Sequence, residues 1–150
     1  MTTGENRNLL RMLPHCAVTT VSMPLDDMVV SKYANGSVAS RYGDLEWDWT
    51  PYNHSGSSST LNFRFWKRND VLTTQRSDLV SEIRWLLYSV ITHSRSSYAF
   101  NTLARYLRSL RSIAIHCEQV GISVRSLIAD TGLLWAYVSM KTDVVVHSLR

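Results

Sequence analysis

The chain has no apolar run near the ~18 to 20 residues that a membrane span requires, so no membrane partner is expected. Its opening Met1-Thr-Thr-Gly-Glu-Asn-Arg7 lacks the charged-then-apolar order of a secretory signal. Cysteine is scarce: Cys16 and Cys117 stand far apart and build neither a disulfide framework nor a metal motif. They read as reduced packing thiols in a cytoplasmic protein. The histidines His15, His54, His93, His116 and His147 are scattered, so no metal site is expected. The first half holds no Gly-rich phosphate loop and no nucleophile–base arrangement. No cofactor, small-molecule substrate or catalytic residue is therefore assigned.

What is present argues for a folded protein. The chain has 150 residues, of which 45% are hydrophobic and 10% aromatic, enough for one domain or one domain plus a small subdomain. The net charge of +4 is unevenly spread. Residues 1–70 carry seven basic and seven acidic residues, whereas residues 71–150 carry nine and five. No Asp or Glu occurs between Glu82 and Glu118, a window that contains Arg84, Arg95, Arg105, Arg108 and Arg111. Such an asymmetry favours a polyanionic partner, although so modest an excess is compatible with a basic but inert surface.

The expected fold class is α+β, a small β-rich N-terminal lobe over 1–72 followed by an all-α bundle over 73–150. The β-branched run 17–22 suggests a strand. Met28–Tyr33 and Ser37–Tyr42 flank Asn35-Gly36, a pair that tolerates the positive φ angles of a type I′ hairpin turn. Pro51 limits the aromatic and acidic stretch 44–52 to an edge or a turn, and 53–59 reads as a flexible polar loop. Residues 60–66 alternate, with Leu61, Phe63 and Phe65 on one face of a strand. Trp47, Trp49 and Trp66 could form a stacking platform, but large aromatics in a small β lobe more often form its core. Lys67-Arg68, which could touch phosphate, is an unspecific pair.

From residue 74 the period lengthens to that of a helix. Leu79, Ile83, Leu86, Leu87 and Val90 share one face over 76–93, and Trp85 and Tyr88 point away, toward the β segment. Residues 94–97 form a turn, with Ser97 suited to cap the next helix. That helix, over 97–120, is the most informative element. Ala99, Leu103, Tyr106, Leu107, Leu110, Ile113, Ala114 and Cys117 fall on roughly one third of its circumference. Asn101, Arg105, Arg108, Ser109, Ser112 and His116 fall opposite, and Gly121 ends it. The polar face suits a phosphate backbone, although a solvated amphipathic helix has the same pattern. A connector over 122–128 turns Leu127 inward. Asp130 or Thr131 then caps a helix over 132–140, packed through Leu133, Leu134, Ala136, Tyr137 and Val138. Residues 144–150 read as the start of a fourth helix.

Asn101-Thr102-Leu103-Ala104, Tyr106, Arg108, Leu110-Arg111, Ala114 and Gly121 resemble the second helix of the core-binding domain of tyrosine recombinases, the phage-type integrases. The flanking order over 76–150 is similar too: an amphipathic helix, a serine-rich turn, then a short segment leading to Asp/Thr and a leucine-rich helix. The resemblance implies a SAM-like helical module that clamps duplex DNA, with sister recombinase subunits as further partners. It implies DNA contact by Arg95, Arg105, Arg108, Ser109, Arg111 and Ser112, mostly at phosphates. Tyr106 and Leu110 would be core residues. Ala99 departs from the family, which has a capping serine there, and Ile115 lies toward the basic side as if a neighbour covered it. The β-rich lobe lies outside the basic module; Asp48 with Trp47 and Trp49, followed by the Phe63 strand, resembles N-terminal extensions of some bacterial integrase-like proteins. Family catalysis uses two arginines, a lysine and a histidine around a tyrosine nucleophile. His147 and Arg150 match the His-x-x-Arg spacing with no tyrosine beyond them. The expectation is a DNA-binding fragment that is itself catalytically silent. The competing expectation is a protein–protein interaction module with a basic helical face.

Overall fold

The computed structural model describes residues 23–53, 59–67, 69–93 and 98–148, the last six by their backbone alone. The predicted strand over 17–22, most of the 53–59 loop, Arg68, the 94–97 turn with Arg95 and Ser97, and Cys16 lie outside the described residues. The architecture is mixed α+β. Strands β1 (Val29–Lys32) and β2 (Val38–Arg41) form one antiparallel pair, and β3 (Glu46–Asp48) and β4 (Thr60–Asn62) form another. Helices α1 (Thr74–His93), α2 (Phe100–Val120), α3 (Val124–Ala129) and α4 (Thr131–Ser148) follow.

The Asn-Gly hairpin forms with a different turn from the one its dipeptide suggests. Only Gly36 has a positive φ, of 85°. Gly36 N–H donates to the Tyr33 carbonyl at 2.9 Å, and Tyr33 N–H to that of Ser37 at 2.9 Å. This is a three-residue loop ending in a left-handed glycine, not a two-residue I′ turn. Asn35 keeps φ negative because its Oδ1 accepts the Ser37 N–H at 2.9 Å, which holds the loop from within. Pro51 lies in a short 3-10 turn over Thr50–Tyr52, as its missing N–H demands.

Residues 60–66 alternate as expected: Leu61, Phe63 and Phe65 are buried, although only Thr60–Asn62 pairs as strand. Trp47 packs on Phe63 with ring centroids 4.7 Å apart, so it and Trp49 belong to the core. One cluster of buried side chains runs from Tyr42, Trp47 and Phe63 through Leu79, Ile83, Leu87, Leu103 and Leu110 to Leu127 and Tyr137. Helix α1 is buried on two sides. Leu79, Ile83 and Leu87 form its predicted stripe, while Val80, Arg84 and half-buried Tyr88 form another. Tyr88 meets Tyr42 edge-on at 5.5 Å, tying the helix to the β segment.

Two local devices set the path after α2. Gly121 has φ 78°, and Ile122 N–H donates back to the Cys117 carbonyl at 3.0 Å while Gly121 N–H reaches that of Glu118 at 3.2 Å. These are the bonds of a Schellman cap. The first turn of α3 is then held from two directions. Ser126 N–H donates to Ser123 Oγ at 3.0 Å. The Glu82 carboxylate of α1 accepts Val124 N–H at 2.9 Å and Arg125 N–H at 3.3 Å. Three otherwise unpaired amides of a six-residue helix are thereby satisfied.

Asp130 Oδ1 accepts the Leu133 N–H at 3.1 Å and caps α4. The helix continues through Ser148, so the predicted helix over 132–140 and the start of another at 144 are one element. The polar Lys141–Asp143 stretch does not interrupt it, because Thr142 Oγ1 returns its hydrogen bond to the Val138 carbonyl at 2.9 Å. Among the described residues no helix is long and apolar enough to cross a membrane.

Candidate nucleic-acid interface

Helix α2 separates its two faces as the periodicity predicts. Leu103, Leu107, Leu110, Ile113, Ala114 and Cys117 are buried. Burial pushes the Cys117 thiol up to about 11, with Glu82 adding in the same direction. Tyr106 is only half-buried and meets Tyr98 edge-on at 5.7 Å, and Ala99 is exposed at the N-cap with no side-chain cap bond.

The basic residues of the acid-free window do not form one set. Arg105 and Arg108, one turn apart on α2, are exposed, as is Ser109. Neither guanidinium has an ion-pair or hydrogen-bond partner among the described residues. Arg84, by contrast, is buried: its Nη1 donates to the Tyr42 carbonyl at 3.1 Å, and its guanidinium lies over the Tyr42 and Phe63 rings at 5.6 and 5.9 Å. It is a core cation and contributes no surface charge. Arg111, expected at DNA, is exposed too, and its Nη2 donates to the Phe65 carbonyl at 3.0 Å. It ties α2 to the β segment. Arg76 is likewise committed. Its Nε meets Glu118 Oε1 at 2.6 Å, and Trp66 Nε1 donates to the other carboxylate oxygen at 2.5 Å.

Ser112 and His116 lie on the polar face but under a neighbour. Both are half-buried, and both meet Tyr137 of α4. The His116 ring lies 4.9 Å from that of Tyr137, and Lys141 Nζ sits 5.7 Å from the Tyr137 ring centroid. Burial raises the Tyr137 phenol, and a hydrogen bond from Ser112 partly offsets this. His116 is held below the usual imidazole value, first by burial and then by the Lys141 charge. Ser112 is therefore a helix-packing residue as much as a surface hydroxyl.

Among the described residues the exposed cations of the helical part are Arg105, Arg108 and Arg111 on α2, Arg125 on α3 and Lys141 on α4. Lys141 lay outside the sequence-based selection because it follows the window. It stands one turn beyond Tyr137 on α4, and the contact of the Tyr137 ring with His116 brings that turn to α2. The arrangement offers point charges and hydroxyls on fixed helices, the donor set of a phosphate-binding surface. Among the described residues no group of three or more His, Cys, Asp or Glu side chains is gathered as for a metal ion. Comparison of the chain with protein-family models, curated proteins and solved structures finds no match.

Proposed function

We propose that the exposed face of α2 binds the phosphate backbone of duplex DNA, and that the chain is the DNA-clamping N-terminal region of a cytoplasmic tyrosine recombinase. One observation carries the reading. Arg105 and Arg108 stand exposed and without carboxylate partners among the described residues, on a helix anchored by six buried side chains. A guanidinium without a carboxylate partner carries no competing ion pair that must first break, and its planar fork can meet a phosphate through two hydrogen bonds. Lys141 and Arg125 extend the set. The recombinase assignment and its SAM-like core-binding fold rest on the resemblance of the Asn101–Gly121 stretch. Strand cleavage and rejoining would belong to a separate C-terminal domain, with sister subunits assembling on the same DNA.

Binding of a labelled 20-base-pair duplex, followed by anisotropy over a salt series, tests this. Four phosphate contacts give a log K against log salt slope of about −3.6. Replacing Arg105 and Arg108 together by alanine should flatten it by about 1.8. Absence of binding at low salt would remove the proposal.

A second reading, a protein–protein interaction module, is favoured by α4. Trp135 is 57% exposed and Met140 41%, which is unusual for side chains of that size. In that case the same arginines would meet an acidic protein, and duplex DNA would not compete.

A further inference from the structure

Arg105, Ser109, Ser112 and His116 follow one another at helical spacings of four, three and four residues and so line one face of α2. From Arg105 to His116 the face runs about 16 Å, over which a duplex presents roughly ten phosphate charges. Its far end is the junction with α4, where the His116 imidazole lies 4.9 Å from the Tyr137 ring and Lys141 Nζ 5.7 Å from that same ring. Among the described side chains no carboxylate forms an ion pair with either cationic group. Glu118, two residues from His116, is occupied by Arg76 and Trp66, and Glu82 by the first amides of α3, while the side chain of Asp143, two residues from Lys141, lies outside the described ones.

We propose that this junction makes phosphate binding by the α2 face proton-linked, the imidazole of His116 taking up a proton when a DNA phosphate settles beside Lys141. The inference rests on the polyanion reading of that face and adds its regulation. In the free protein a second positive charge at His116 is opposed twice, by burial and by Lys141. A phosphate at the mouth of the junction supplies the missing negative charge to both groups. The sign follows. The imidazole's affinity for protons is low when the face is empty and higher when it is filled, so DNA binding tightens as pH falls through the interval between the two values. The linkage vanishes well above that interval, where the imidazole is neutral in both states.

The other titratable groups at the junction do not compete. Tyr137, on α4, and Cys117, beside His116 on α2, both have values raised by burial and stay neutral across this range. Ser112 adds only a hydroxyl.

The test is anisotropy titration of the 20-base-pair duplex between pH 5.5 and 8 at constant ionic strength, on the full chain, with the His116 ring C–H signal followed by NMR. The expected result is a roughly tenfold fall in Kd toward pH 5.5, corresponding to about one unit of upward shift of the His116 midpoint in the complex. His116→Gln should reduce the change to no more than about twofold. Lys141→Gln, which leaves the imidazole in place, should raise its midpoint in the free protein and shrink the pH dependence. DNA binding with the same pH dependence in His116→Gln, or a His116 midpoint that does not move on binding, overturns the linkage and leaves the α2 face standing as the DNA site. No binding at any pH or low salt overturns both.

Discussion

Replacing Glu118 by glutamine should loosen the seam between the β segment and the helices. The carboxylate bridges two elements: Oε1 takes Arg76 Nε of α1 at 2.6 Å, and Oε2 takes Trp66 Nε1 at 2.5 Å. The Arg76 guanidinium also lies 4.9 Å from the Trp66 ring centroid, so one anion orders a stacked pair. The side chains are 19% and 21% exposed, between the regimes of surface and buried pairs. Surface pairs contribute ~0 to 1 kcal/mol, and breaking a buried pair costs ~3 to 5 kcal/mol. Glutamine can still accept one of the two bonds, and Arg76 keeps the Val71 carbonyl at 3.1 Å and Asp70 at 3.9 Å. About 2 kcal/mol of destabilisation is therefore expected. With a urea m value of about 2 kcal/mol/M, the unfolding midpoint should fall by roughly 1 M. Trp66→Phe should cost less alone, and the double variant should show coupling of about 1 kcal/mol. A midpoint shift below roughly 0.2 M, or additivity in the cycle, would refute the clamp.

Two further changes probe other parts of the fold. Gly36→Ala should cost about 1 kcal/mol in the same urea assay: the φ of 85° disfavours a Cβ, and no atom lies within 4 Å to add a clash. A cost below about 0.3 kcal/mol would mean that the turn relaxes. Arg84→Ala should destabilise by roughly 3 kcal/mol, since it removes a buried packing side chain and its bond to the Tyr42 carbonyl. It should leave the salt slope of DNA binding unchanged, whereas a slope flattened by about 0.9 would show that Arg84 reaches phosphate after all.

Periodicity exposed what depends on neighbours in sequence. The buried stripe of α2, the Gly121 stop, the Leu61–Phe65 alternation and the Asn35-Gly36 hairpin all follow from local spacing. Even there the turn type was not legible, because it depends on where the Asn35 side chain bonds. What remained hidden is long-range. Arg84 looks like a surface cation in the sequence but is buried, its guanidinium bonded to the Tyr42 carbonyl forty-two positions away, and exposed Arg111 bonds the similarly distant Phe65 carbonyl. The polar residues around Lys141 resemble a break between helices. A hydroxyl that satisfies itself on the preceding turn lets the helix run on. On the polar face of α2, Arg105, Arg108 and Ser109 are open, while Ser112 and His116 are half-buried at the contact with Tyr137 of α4, which no local spacing announces. Lys141 joins them only through that Tyr137 contact, one turn along α4.

The most direct measurement is the salt dependence of duplex binding by the wild-type chain and by the Arg105→Ala/Arg108→Ala variant, with circular dichroism to verify that both are folded. A slope of about −3.6 that drops to about −1.8 in the variant is the expected result. Binding whose slope is the same in both proteins, or no binding at low salt, would contradict α2 as the DNA-facing helix.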